Sequence, residues 1–535
     1  MRRLSTIAGL ALFCAAFSLA YPQPQPSWQD LQQRPFSPFH RTTQHVDLDL
    51  GADSKGHIGT YARFDNEQVL RVEISSFDQL KQLEAAVEDY NLDLWSDLRI
   101  GAVDVRVPPS KMDGFKAATH NIPHTVMIPN LQDLVPQQAP ASLLRNSGTP
   151  LNIWDFTDNS FWYDYRDFAT LNNFTETMVK RHPKLVKRVS IGKTFEGREI
   201  FGLSIHGFKT KKGKGIEDSS DDATTFDDDD EYDNNDEYTL DEERTLLEQW
   251  KGKLDSWWSW LFGTSKRIGR KPSRPKKHPK AIVIHAGLHA REWIGPAVVT
   301  YIAKELIQGY HRNRKITRMV DQFEFVIVPV LNADGYVYSW EHDRMWRKNR
   351  QPTSISMCTG IDPNRSWGYK WGSGGGNSLN PCNEAYQGPK AFAALEAKMM
   401  SKYILKRKNV VGYLDFHAYS QLWMWPFGGD CDEIPKDAED ITECAMGAAK
   451  ALYGVHGKKF SVGRMCDVVY QAGGGSIDWT YAVGKVKYSY GVELRDTGLH
   501  GFLLPASEIL PSSEETMAGV MYYANFIRKR EKQWR

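Results

Sequence analysis

An unbroken apolar run, Ala281-Ile282-Val283-Ile284, leads the chain into His289-Ala290-Arg291-Glu292, and this pairing limits the possible folds more than any other feature of the sequence. Four apolar residues without polar alternation read as a buried strand. The residues that follow can aim an imidazole and a carboxylate at one point. Zinc in hydrolases commonly takes two histidines, one glutamate and a water. A second histidine must come from elsewhere, and His417 closes another apolar run, Tyr413-Leu414-Asp415-Phe416-His417. Groups from distant segments meet at strand ends, where open α/β sheets carry their sites. The expectation is therefore an α/β, three-layer αβα domain with a mixed central sheet. By itself His-x-x-Glu is weak evidence, because a motif this short is more often a surface turn.

Further motifs follow in order: Arg344-Met345-Trp346-Arg347-Lys348, Asp362-Pro363-Asn364-Arg365, Tyr470-Gln471-Ala472-Gly473-Gly474-Gly475-Ser476-Ile477-Asp478-Trp479 and Glu493-Leu494-Arg495-Asp496-Thr497-Gly498. In this order and spacing the chain resembles the zinc metallocarboxypeptidases of the pancreatic A/B type, over roughly residues 155–530. Upstream, Glu67-Gln68-Val69-Leu70-Arg71, Leu92-Asp93-Leu94-Trp95 and Val103-Asp104-Val105-Arg106-Val107-Pro108 resemble the propeptide of the same family. That likeness implies a small open α+β sandwich over residues 44–135 that caps the mouth of the site.

The resemblance implies one zinc ion per chain, held by His289, Glu292 and His417. Three protein ligands leave a position for water, whose pKa zinc lowers to ~7. His285 lies four residues before His289 and reads as a core histidine. Asp362 is the expected acceptor for a ligating imidazole, fixing its tautomer. Glu493 occupies the family's general-base position; its bland alternative is a strand-end glutamate paired with Arg495. Arg347 is expected to stabilise the oxyanion of the scissile carbonyl, an electrostatic contribution that is often the largest. Asn364, Arg365 and Tyr470 should hold the substrate's terminal carboxylate, for which an arginine fork is suited. Arg291 is an accessory anion contact, and Ala418 and Tyr419 complete the substrate contacts. Anchoring that carboxylate would make the protein an exopeptidase acting on peptide C-termini. Ile477 stands at the position that separates the family's specificities. With Gly475 and Gly491 it suggests a roomy neutral pocket for aromatic or branched aliphatic side chains.

The first 20 residues read as a secretory signal: Arg2 and Arg3, an apolar core from Ile7 to Phe17, then Ser18-Leu19-Ala20. The apolar core is too short to span a bilayer of ~30 Å. A secreted destination follows, with the vacuole as an alternative. Secretion permits disulfides. The chain has six cysteines and Cys14 departs with the signal. The resemblance pairs Cys358 with Cys382, and Cys431 and Cys466 stand where some pancreatic-type relatives carry a bridge. A Cys431–Cys444 pairing stays open at this point. Asn173-Phe174-Thr175 is a glycosylation acceptor motif; Asn364-Arg365-Ser366 matches it too but is discounted because Asn364 has a place in the site. The net charge of +1 argues against a general nucleic-acid binder, and a monomer without a transmembrane segment is expected.

Residues 21–43, rich in Pro and Gln, read as disordered, and 136–151 as a linker carrying a processing site, with Arg145 a weak candidate. The carboxypeptidase-like domain is expected over 152–530. A helical pattern around Tyr165–Lys180 and strands at Val186–Ile191 and Glu199–Ile205 open it. Residues 207–280 then interrupt it where relatives have a short loop. The insert is acidic from Glu217 to Glu243, has a Trp-rich helical pattern over Leu240–Phe262, and is basic from Lys266 to Lys280. Such charge blocks read as a solvated excursion. The sharper reading is a docking module for a cell-wall or protein partner.

A comparable acidic insertion occurs in fungal cell-wall-associated carboxypeptidase-like proteins, which this chain resembles. Members of that branch are regarded as inactive and linked to cell-wall organisation, typically through loss of the catalytic glutamate. This chain keeps Glu at 493. Two functions follow: a secreted zymogen of a zinc carboxypeptidase with apolar specificity, or a silent protein on the same fold.

Overall fold

The computed structural model describes residues 61–96, 98–135, 159–207 and 279–533. The expected signal, the 21–43 segment, the 136–151 linker and nearly all of the 207–280 insert, its Trp-rich stretch included, lie outside the described residues.

Near the N-terminus, alternating burial in Gln68–Ile74 makes strand β1, and Ser76 starts helix α1 (Phe77–Asp89) by accepting the Gln79 N–H. Strands β2 (Asp93–Leu94), β3 (Gly101–Val107) and β4 (His124–Ile128) complete an antiparallel sheet in the order β2-β3-β1-β4. Helix α2 (Met112–Ala118) precedes β4. Leu83, Ala86 and Val87 of α1 pack with Leu70, Val72, Val103 and Val105 of the sheet in one apolar cluster. The sequence pattern carried helix α1 to Tyr90; the helix stops one residue earlier, with Tyr90 as its cap.

The larger domain opens with helix α3 (Phe168–Arg181). The helix begins later than the periodicity suggested because the Asp167 carboxylate caps it, accepting the Thr170 N–H at 2.7 Å. Strands β5 (Val186–Lys193), β6 (Glu199–Ile205), β7 (Lys280–Ala286), β8 (Phe323–Val328), β9 (Val410–His417), β10 (Leu422–Trp425), β11 (Ser461–Arg464) and β12 (Tyr488–Glu493) form one sheet. Its order is β11-β10-β12-β9-β7-β8-β6-β5. The neighbours β12, β9, β7 and β8 run parallel, whereas β10 against β12, β6 against β8 and β5 against β6 are antiparallel. The mixed α/β sheet is thus present.

Two apolar clusters show the layering. Ile282, Ile284, Phe325, Ile327, Leu414 and Phe416 face one way, against α3, α4 (Ile294–Gly309), α8 (Ala438–His456) and α10 (Ile509–Gln533). Val283, Val326, Val328 and Tyr413 face the other way, against α7 (Leu395–Lys406) and α9 (Ser476–Ala482). Burial on both faces explains the unalternated apolar runs. Helices α5 (Arg314–Gln322) and α6 (Ala333–Glu341) flank β8. No described helix is long and apolar enough to cross a membrane.

Both roots of the insert lie at one end of this sheet. Gly207 N–H donates to Val320 O at the end of α5, and Lys280 pairs with Phe323 at the start of β7 and β8. His289 and Glu292 follow the opposite end of β7. Seven strand residues at ~3.3 Å each separate the two ends.

Candidate metal centre and substrate cleft

Strand register assembles the site. His417 ends β9 and is the ladder partner of Glu493, which ends β12. His289 and Glu292 follow β7, the neighbour of β9 on its other side. His289 Nδ1 lies 3.2 Å from His417 Nδ1 and 2.8 Å from Glu292 Oε1, and His417 Nδ1 lies 3.0 Å from Glu292 Oε2. Ligand atoms of the three buried residues all fall within 4.8 Å of one another. They are the one such cluster among the described residues. Both imidazoles turn Nδ1 inward, and His289 Nε2 faces Asp362 Oδ1 at 3.1 Å. Two imidazoles and a carboxylate converging on one point, with a second carboxylate behind an imidazole, suit a divalent zinc ion.

The electrostatics agree. Burial alone would raise the pKa of Glu292, but the adjacent His289 and His417 outweigh it and hold the carboxyl well below the usual range. Asp362 is likewise depressed against burial, by Arg347 and His289. Burial works against a charged His417, yet the Asp415 and Glu292 carboxylates raise its pKa well above the ordinary value.

Arg347 is fixed by Asp362, whose Oδ2 accepts from its Nη2 at 2.9 Å and its Nε at 3.2 Å. Its Nη1 lies 3.9 Å from Glu292 Oε1. Burial opposes its charge, but Asp362 and Glu292 raise the pKa above the usual guanidinium value. Asn364 Oδ1 accepts the Ser476 N–H at 2.9 Å, which ties the site to the start of α9. Arg365 Nε donates to Gly376 O at 2.8 Å, and its Nη2 meets the Tyr470 hydroxyl. A side chain at position 376 would displace the Tyr470 ring, since an added Cβ would lie 1.6 Å from it. One cleft is lined by His289, Glu292, Arg347, Asn364, Arg365, His417, Ala418, Tyr419, Tyr470, Ile477 and Glu493.

Arg291 is the exception. It is wholly buried beneath the N-terminal sheet rather than on that cleft wall. Its Nη1 donates to Asp93 Oδ2 at 2.7 Å, its Nη2 to Leu94 O at 3.3 Å, and its guanidinium stacks on Phe502. The N-terminal sheet also reaches Tyr419, whose hydroxyl donates to Asp104 Oδ2 at 2.8 Å. Leu94, Trp95 and Glu84 of the same sheet and helix α1 line the cleft.

Sequence reasoning overlooked several lining residues. Met424, Met465 and Val469 form an apolar wall with Ile477, and a Cβ on Gly491 would already touch Met424 and Ile477 at 3.7–3.8 Å. Met424 stands opposite Gly491 on β10, a register the sequence does not display. Asp415 was legible: it precedes His417 by two, so a strand turns both side chains to one face.

The disulfides Cys358–Cys382 and Cys431–Cys466 form, so the alternative Cys431–Cys444 pairing is excluded. Cys444 is a buried thiol in α8. Asn173 is exposed, but on helix α3, and Thr175 of its motif is buried with its hydroxyl donating to Leu171 O at 3.0 Å.

Comparison with known proteins decides the family. The model of the zinc carboxypeptidase family matches residues 171–519, well over half of the chain. This chain belongs to that zinc carboxypeptidase family. A carboxypeptidase activation peptide matches residues 70–138, so the N-terminal sheet is the family's prodomain. Carboxypeptidase A2 of Mus musculus is 33% identical over 483 residues, covering 88% of this chain and 96% of its own. "Inactive metallocarboxypeptidase ECM14" of Ajellomyces dermatitidis is 30% identical over 496 residues, covering 87% of this chain and 73% of its own. Among solved structures, thrombin activatable fibrinolysis inhibitor superposes with a TM-score of 0.67 at 26% identity, over 87% of this chain and 100% of the other. Prodomain and disulfides together fit a secreted or extracellular zinc carboxypeptidase.

Proposed function

We propose that the chain is the zymogen of a secreted metallocarboxypeptidase that removes apolar or aromatic C-terminal residues from peptides. The observation that carries this reading is the ladder pairing of Glu493 with His417, which puts a carboxylate on the cleft wall beside the metal-ligand cluster. His289, Glu292 and His417 would hold one zinc, whose Lewis acidity makes water a nucleophile near neutral pH. Glu493 accepts the proton of the attacking water and returns it to the leaving amine. Arg347, braced by Asp362, stabilises the charge that develops on the scissile carbonyl oxygen. Arg365, with Asn364 and Tyr470, binds the terminal carboxylate and so sets cleavage one residue from the end. The apolar wall of Met424, Met465, Val469 and Ile477 receives the last side chain. Arg291 would join this substrate set once Asp93 and Leu94 leave it with the prodomain.

The prodomain-free protein should release C-terminal Phe or Leu faster than Lys or Arg. The opposite order would reject the apolar pocket.

A silent protein concerned with cell-wall organisation is the second reading, favoured by the several fungal relatives whose names call them inactive. The insert would then serve a partner; its roots, Gly207 and Lys280, lie at the end of the sheet opposite the cleft. Intact zinc with no turnover on any peptide would select this reading.

A further inference from the structure

If Nδ1 of each imidazole faces the metal, Nε2 carries the hydrogen and needs an acceptor. Asp362 serves His289 in this way, and the matched motifs name no counterpart for His417. Two groups stand at His417 Nε2: Asn364 Nδ2 at 3.4 Å and Asp415 Oδ1 at 3.0 Å. An amide NH₂ only donates, so Asn364 Nδ2 cannot take this hydrogen. Asp415 can. It is fully buried on the same face of β9, and its Oδ1, 3.0 Å from that Nε2, has no hydrogen-bond partner among the described residues.

The surroundings hold Asp415 in place. Ser476 hydroxyl donates to its Oδ2. Across the ladder stands His285, its Nδ1 3.4 Å from Asp415 Oδ1 and its Nε2 2.5 Å from the Tyr413 hydroxyl. On the other side the ladder partner is Gly491, which adds no side chain to push the carboxylate away. A buried carboxylate is costly unless its oxygens are matched. The hydroxyl of Ser476 matches one oxygen, and His417 Nε2, 3.0 Å away, is placed to match the other.

We propose that Asp415 is the positioning residue of His417: its carboxylate takes the Nε2–H and so aims the Nδ1 lone pair at the metal, with Ser476 and His285 bracing it from behind. The metal centre is then two imidazoles each backed by its own buried carboxylate. This rests on the reading of the centre as a zinc site, and the test separates the two.

Zinc affinity of the full chain is measured by chelator competition for the parent, Asp362→Asn, Asp415→Asn and Asp415→Ala. The melting temperature of each metal-free protein is measured alongside. Asp415→Ala should weaken zinc about tenfold to a hundredfold, as loss of such a backing group does elsewhere. Asp415→Asn should keep part of the affinity, because its amide oxygen still accepts a hydrogen bond. These melting temperatures show which variants are folded at the assay temperature. Cobalt substitution should shift the visible spectrum of both Asp415 variants relative to the parent. Should Asp415→Ala fail to fold, Asp415→Asn and Ser476→Ala carry the test, each expected to weaken zinc. Zinc affinities of the folded Asp415 and Ser476 variants within about twofold of the parent, while Asp362→Asn loses about tenfold, would overturn the proposal. A parent that binds no zinc would instead overturn the reading of the centre as a zinc site.

Discussion

Two sets of equally buried carboxyls in one domain behave in opposite ways. At the strand ends, Glu292 and Asp362 sit among His289, His417 and Arg347 and are held well below the usual carboxylate range. Away from the ligand cluster, Glu396 in α7 and Asp478 in α9 meet amides instead of cations. Glu396 Oε2 accepts from Asn349 at 2.8 Å, and Asp478 accepts the Gly428 and Gly429 N–H groups. Burial pushes both carboxyls up to about 7. Burial is common to the four groups, so neighbouring charge is what separates them. In this first set the carboxyls face the cations and imidazoles of the candidate metal centre. Acids driven toward neutrality mark packing.

The largest expected difference between the two sets is in metal binding. Glu292→Gln removes a ligand charge from the centre and should abolish zinc retention through gel filtration. Glu396→Gln should retain the parent's zinc content. Equal zinc in the two variants, read by metal analysis, would erase the distinction.

Asp362→Asn should act one step further out. It leaves all three ligands in place but weakens the support of His289 and Arg347. Zinc affinity should fall about tenfold to a hundredfold. Unchanged affinity in a chelator competition would show that Asp362 braces Arg347 without supporting the metal ligands.

The smallest effect belongs to Glu396 and concerns stability. Its folded pKa of about 7 lies above the ordinary carboxyl value of ~4.3, so the folded state holds the proton more tightly. The stabilisation this gives is complete below about pH 4 and is lost as pH rises through about 7. Glu396→Gln stays neutral throughout and can keep the Asn349 contact. It should match the parent near pH 4 and exceed it by up to about 3 kcal/mol near pH 8. Denaturation curves at both pH values check this. A constant difference between the two proteins would contradict the assignment.

Much of this was legible in the sequence because strand and motif signals are local. Ala281–Ile284 read as a buried strand, and Tyr413–His417, apolar but for Asp415, as a second one ending on a histidine. The 128 residues separating His289 from His417 do not hide a convergence at strand ends. Register was not legible. Gly491 opposite Met424, and His285 opposite Asp415, depend on how strands slide past one another, which no single strand records. The fate of Arg291 was hidden for a similar reason. Its partner Asp93 lies 198 residues away in the prodomain, and only the docked sheets reveal that the guanidinium is already taken. Helix α3 began later than its periodicity suggested because Asp167 competes for the first turn as a cap.

Peptide hydrolysis by the prodomain-free protein tests the central claim most directly. Parent and Glu493→Gln, both shown to contain zinc, are assayed on a peptide ending in Phe. The parent should release free Phe, and the variant should keep zinc and peptide binding while turnover falls about 10²–10⁴-fold, the usual worth of a general base. A zinc-loaded parent as inert as Glu493→Gln would contradict the account and leave a carboxypeptidase fold with a silent site.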